Sequence, residues 1–242
     1  CGRLNRTLGN HDEAEEMFLS ALNCASKIDN QHLRLEAHME QAISQVWRGG
    51  IPHTDESLHA LAEKAAQLNN QRALMTLHNT LGVLYWQRGE HSLALKAFQA
   101  LAAEADHAEN SHIKGDAFNN AGLIYWRWGE YSQALKAFKR ALTLRRKVGD
   151  YFGLCATLMN LGIIYEQIGE IIPARRSYLN ARKLADKTGY LQAQAALASN
   201  LSNLERRIGS PRVALELAMI AIAHSRHAED GNLLAIAEEN AG

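Results

Sequence analysis

The chain has 242 residues, 47% of them hydrophobic and 21% charged, with 26 basic side chains set against 26 acidic ones. That composition excludes a disordered tract, and there is no run of about 18 apolar residues to cross a membrane. Zero net charge excludes a surface basic all over for nucleic acid or anionic lipid, and three prolines among abundant Ala and Leu favour long helices over strands.

In chain order the sequence repeats itself every 40 residues. Gly9, Gly49, Gly89, Gly129, Gly169 and Gly209 mark the period, and five residues after them stand Ala14, Thr54, Ala94, Ala134, Ala174 and Ala214. Nine residues after them come Phe18, Leu58, Phe98, Phe138, Tyr178 and Ala218; seven before them come Gly2, Ala42, Gly82, Gly122, Gly162 and Ser202. Each unit reads as helix, tight turn, helix. Between Tyr151 and Ile168 apolar residues recur three and four apart, at Leu154, Leu158, Leu161, Ile164, Tyr165 and Ile168. Gly169 stops that helix, Pro173 sits in the first turn of the next, and the next runs to Gly189. Gly162 and Ala174 let the pair approach closely, and the aromatic at 178 fills the remaining groove.

One such unit leaves an apolar face in water, so neighbours must stack. The expected fold is an all-α solenoid of about six units, a single array over 1–242 cut within a unit at both ends and drawn from a longer protein. The unit at 49, WRGGIPHTDESL, has a second glycine and Thr54 in the alanine column, which predicts a looser turn at Gly49-Gly50-Ile51-Pro52. Cys1, Cys24 and Cys155 form no CxxC pair, and a reducing, cytoplasmic setting is expected.

The segments NTLGVLYWQRGEHSLALKAF, NNAGLIYWRWGEYSQALKAF and NLGIIYEQIGEIIPARRSY resemble the tetratricopeptide repeat family, whose Leu-Gly, Tyr, Gly, Ala and aromatic columns they carry in order. The 40-residue unit is longer than the usual 34. It is similar to the variant in kinesin light chains, Pins-type scaffolds and bacterial multidomain regulators, where it often forms the sensor arm of a STAND-type ATPase. The resemblance implies a right-handed superhelix whose concave groove, lined by the first helix of each unit, binds a peptide or protein.

On that reading Asn120, Asn160 and Asn200 form a ladder of amides, each able to donate to and accept from a peptide backbone. The other reading is that these amides tie neighbouring helices together or face water. Flanking groove columns contribute Asn79 and Asn119, then Leu123, Ile163 and Asn203, then Trp86, Trp126 and Arg206, then Arg127 and Arg207. Trp86 and Trp126 beside Arg127 have the makeup of an interface hot spot, with packing as core the alternative. Chaperone-adaptor repeats carry a basic clamp in the early groove columns; Glu36, Thr76, Asp116, Ala156 and Ala196 stand there instead.

The leading expectation is a non-enzymatic protein-interaction module, the scaffold or sensor arm of a regulatory protein, binding an extended peptide or partner helix. The alternative is nucleic-acid or acidic-partner binding through basic convex helices at 136–147 and 175–187, which hold Lys136, Lys139, Arg140, Arg145, Arg146 and Lys147, then Arg175, Arg176, Arg182, Lys183 and Lys187. No aromatics alternate with these charges to stack bases. Eleven histidines form no HExxH, no cysteine lies at ligand spacing, and the glycines make neither a GxGxxG nor a P-loop, so no metal, cofactor or catalytic residue is expected.

Overall fold

The computed structural model describes residues 11–27, 30–47, 54–228 and 230–241, and these form twelve α-helices with no strand among them. Gly2, Gly9, Gly49 and the Gly49-Gly50-Ile51-Pro52 turn lie outside the described residues, as does Gly242. The chain divides into two compact units between Ala117 and Phe118. The first holds α1 (His11–Lys27), α2 (Gln31–Trp47), α3 (Thr54–Gln67), α4 (Gln71–Gln87), α5 (His91–His107) and the start of α6 (Ser111–Arg127). The second holds the rest of α6 with α7 (Tyr131–Val148), α8 (Tyr151–Gln167), α9 (Ile171–Thr188), α10 (Leu191–Arg207), α11 (Pro211–His227) and α12 (Gly231–Ala241). Helices α5, α7, α9 and α11 begin at residues 91, 131, 171 and 211, in step with the glycines.

The turns are set by backbone hydrogen bonding. Gly169 takes the left-handed conformation, φ 79°, and donates to the carbonyl of Glu166, while the N–H of Glu170 reaches back to the carbonyl of Tyr165 at 2.8 Å. That pair of bonds is the Schellman closure, which satisfies carbonyls left over at a helix end. The N–H groups of Glu90 and Ser210 make the equivalent bonds to Tyr85 and Glu205. The first helices of the repeats are started by side-chain caps. Asn30, Asn70, Asn110, Asp150 and Asp230 each accept from the backbone N–H three residues on, at 2.9 to 3.1 Å. Tyr190 breaks the column; it offers no cap, and its ring meets Phe152 edge-on at 5.4 Å.

Packing follows the columns. Ala94, Ala134, Ala174 and Ala214 are buried, as are Phe98, Phe138, Tyr178 and Ala218. A Cβ added at Gly82, Gly122 or Gly162 would overlap the ring of Phe98, Phe138 or Tyr178, respectively. In the last repeat, where Ala218 removes the ring, Ser202 fits instead and donates its hydroxyl to the carbonyl of Ala214 at 2.7 Å. Within each unit consecutive helices pack on each other, and first helices also touch the next first helix: α2 with α4, then α8 with α10 and α10 with α12.

Candidate functional site

The face of interest is the one presented by the first helices. In the second unit it is built on α6, α8 and α10. Asn160, on α8, is half-buried and donates its Nδ2 to Oδ1 of Asn119 on α6 at 3.3 Å. Asn119 is only 8% exposed, and the same oxygen also accepts from Thr157 Oγ1 at 3.3 Å and from Arg145 Nη1 at 3.5 Å. One amide oxygen thus serves three donors from two other helices, and Asn119 acts as a tie between helices. Asn120, Asn200 and Asn203 are half-buried. Asn203 accepts from Arg206 Nη2 at 3.1 Å, which steadies that exposed guanidinium over its own helix.

A second tie closes the far end of the face. Arg207 Nη1 lies 2.6 Å from Glu166 Oε1, joining α10 to α8, and the other Glu166 oxygen accepts from the Tyr178 hydroxyl at 3.0 Å. Burial and the adjacent Glu166 carboxylate both push the Tyr178 hydroxyl far up, so it stays a donor. Leu123 and Trp126 are half-buried against the core of Ala134, Phe138, Leu161 and Ile164, and Ile163 packs against the core shared by α8, α9 and α10. In the first unit Trp86 is half-buried with its ring 5.1 Å from His91, and Asn79 is exposed. Arg127 is exposed, and Trp128 is 40% exposed. Both tryptophans of the proposed hot spot therefore make intramolecular ring or core contacts while keeping part of their surface.

The basic stripe needs correcting at one position. Arg145 is not on the surface: it is 6% exposed, at the end of α7, and bonds Gly153 O at 2.7 Å and the Thr157 hydroxyl, with Asp150 Oδ2 3.6 Å from its Nε. Gly153 makes this possible, because a Cβ there would overlap both Arg145 and Asp150. The period carries a signal for this that composition hides. Arg145 falls in a column otherwise filled by the buried Ala65, Ala105, Ala185 and Ser225, and Thr157 in one filled by Leu77, Ala117, Leu197 and Ala237. A large cation among alanines has nowhere to go but the interior, and Gly153 and Thr157 supply room and an acceptor.

A second pair was missed in the same way. Glu205 is 2% exposed and its Oε1 accepts from Arg175 Nε at 2.7 Å. It stands in the column of Tyr85, Tyr125 and Tyr165. One repeat earlier the corresponding residues, Leu135 and Tyr165, pack against a shared apolar core. An apolar pair has been exchanged for an ionic one. In the first unit α3 is joined to α4 by His59 Nε2 with the Tyr85 hydroxyl at 2.9 Å and by Arg88 with Asp55 at 3.0 Å; the Arg88 hydrogen bond holds the Asp55 carboxyl below its ordinary value. Cys155 is buried, which pushes its thiol up and leaves it protonated. Among the described residues no group of three His, Cys, Asp or Glu side chains is placed to hold a metal, and no helix is long and apolar enough to cross a membrane.

Comparison with known proteins places this geometry. No curated protein matches the sequence. Among solved structures the chain is similar to BtubC (BKLC) from P. vanneervenii, with a TM-score of 0.78 at 14% identity over 91% of this chain and 92% of that one. It is also similar to a STAND protein with a tetratricopeptide repeat sensor from Pyrococcus horikoshii, with a TM-score of 0.81 at 13% identity; the match covers 99% of this chain but 37% of that protein. A third similar structure is the Rap conjugation gene regulator of plasmid pLS20 in complex with the Phr* peptide, with a TM-score of 0.65 at 16% identity, covering 86% of this chain and 58% of that one. At such identities the likeness speaks for the fold. Residues 72–147 match the tetratricopeptide repeat family model, and helix pairs of similar length continue on either side of them among the described residues.

Proposed function

We propose that the chain is a non-enzymatic interaction module that takes an extended peptide or a partner helix along the face of its first helices. It would serve as the scaffold or sensor arm of a larger cytoplasmic regulatory protein. The observation that carries the reading is the row of half-buried side chains on the touching helices α8 and α10: Asn160, Ile163, Asn200 and Asn203. Amides at this depth have one side against protein and the other open, and an extended backbone offers both donors and acceptors to them. Ile163 supplies apolar contact, and the exposed Arg206 makes one end basic, Arg207 being paired with Glu166. The tie from Asn160 to Asn119 uses one of its two N–H bonds and orients the rest of the amide. The Rap regulator in complex with the Phr* peptide and the STAND sensor show folds of this kind in peptide-bound and sensor proteins, which supports the reading without identifying a partner.

The test is affinity capture from native cell extract, comparing the wild-type chain with a variant in which Asn120, Asn160 and Asn200 are all changed to Ala. Circular dichroism first checks that the two melt alike. Partners held by the wild type and reduced about tenfold or more on the variant support the ladder. Equal capture by both chains overturns it.

A further inference from the structure

The face opposite in role, presented by the second helices α7 and α9, has a composition that the peptide ladder leaves unused. These two helices hold eleven basic residues and one acidic residue, Asp186, in a chain whose totals are equal. Some of that charge is spent inside the molecule. Arg145 is buried, Arg175 faces Glu205, and Arg182 lies 3.9 Å from Asp186. Arg146, Arg176 and Lys183 make no ion pair among the described residues, and all three are exposed.

Those three cations rim two adjoining depressions of about 370 and 460 Å³. The first lies between α7 and α9, with Leu142, Leu158 and Tyr165 in its lining beside Lys139 and Arg146. The second lies along α9, lined by Leu179 and Lys183 and reaching Ile208 in the turn after α10. Ile172, Arg176 and Asn180, spaced four apart on one stripe of α9, line both and form the ridge between them. Ile172 is 81% exposed, and no acidic residue lines either depression. A merely solvated helix face has no reason to place its most exposed isoleucine among unpaired cations.

We infer that this face is a second binding surface, occupied by an acidic amphipathic segment of a partner protein. Its apolar side chains fill the two depressions across the Ile172 ridge, and its carboxylates meet Arg146, Arg176 and Lys183. Charge complementarity selects an acidic partner, and the apolar lining selects a peptide over nucleic acid, because a phosphate backbone gains nothing from Ile172, Leu179 and Ile208. This inference is independent of the Asn ladder: it uses other helices and other residues.

The experiment is fluorescence anisotropy on the full 242-residue chain. The probe is a labelled amphipathic helix with Leu and Phe on one face and Glu on the other. Comparison ligands are a scrambled peptide of the same composition and a labelled single-stranded oligonucleotide. The variants are Ile172→Ser and the pair Arg176→Glu with Lys183→Glu, all at exposed positions, with the half-buried ladder variant as control once circular dichroism shows that it melts as the wild type does. Saturable binding of the amphipathic peptide is expected, weakened about tenfold or more by Ile172→Ser and by the charge reversal. Only the charge reversal should flatten the salt dependence, and the ladder variant should bind as wild type does. Four results would overturn the inference: no binding of the peptide; equal binding of the scrambled one; tighter binding of the oligonucleotide with no loss on Ile172→Ser; or sedimentation showing a second copy of this chain already covering the face.

Discussion

Glu109 stands in the left-handed region, φ 51°, at the turn between α5 and α6, and Asn69 does so one repeat earlier. The same position is Gly149 and Gly189 in the next two repeats, with φ 71° and 68°. Asparagine tolerates this conformation through its short polar side chain, whereas glutamate pays a steric cost of about 1 kcal/mol. Glu109→Gly should therefore stabilise the chain by up to about 1 kcal/mol, part of the gain being offset by added freedom in the unfolded state. A raised urea midpoint at unchanged slope is the expected result. At this scale much was legible in the sequence. The aromatic at 178 against Gly162 could be read directly, because both columns recur and only one small residue fits under a ring. Arg145 was not, because charge alone assigns an arginine to the surface; its burial depends on Gly153 eight residues on and Thr157 twelve residues on, each unremarkable by itself.

Three helices meet at Arg145. It sits on α7 and reaches α8 through Gly153 and Thr157, and α6 through Asn119. Replacing it with Met keeps most of the volume but leaves Asp150 without its cation and Asn119 and Thr157 short of a donor. Arg145→Met should cost about 3 kcal/mol in chemical denaturation. Asp150 has two duties here, since it also caps α8 by accepting from Gly153 N–H at 2.9 Å. Asp150→Ala should accordingly cost about 1 kcal/mol more than Asp150→Asn, which retains a capping oxygen. Helix number and type followed from the period and the turn residues. The ties between first helices did not, because which amide faces a neighbour and which faces solvent is decided by side chains about 40 residues away. Thus Asn119 and Asn160, alike in the sequence, differ in the fold: one is a buried hub and the other a half-exposed arm.

The chain divides inside α6 and not at a turn. A fragment beginning at Phe118 would keep ten residues of that helix without the Asn110 cap, a length at which helices are marginal in water. A fragment of residues 110–242 should melt cooperatively, and one of 118–242 should melt at least about 5 °C lower, as followed by circular dichroism. The exchange of Leu135 and Tyr165 for Arg175 and Glu205 has a bearing on the array as a whole. A stack of near-identical modules can slip by one whole module, while the chain folds or when its gene recombines, and an all-apolar joint would accept the slipped partner at little cost. Were α10 to take the place of α8 against α7, the buried carboxylate of Glu205 would meet Leu135 with no cation, at a penalty of about 3–5 kcal/mol. The ion pair is thus a registration mark: it lets this joint close in one alignment and makes duplication or loss of the module that bears it a mutation that selection can see.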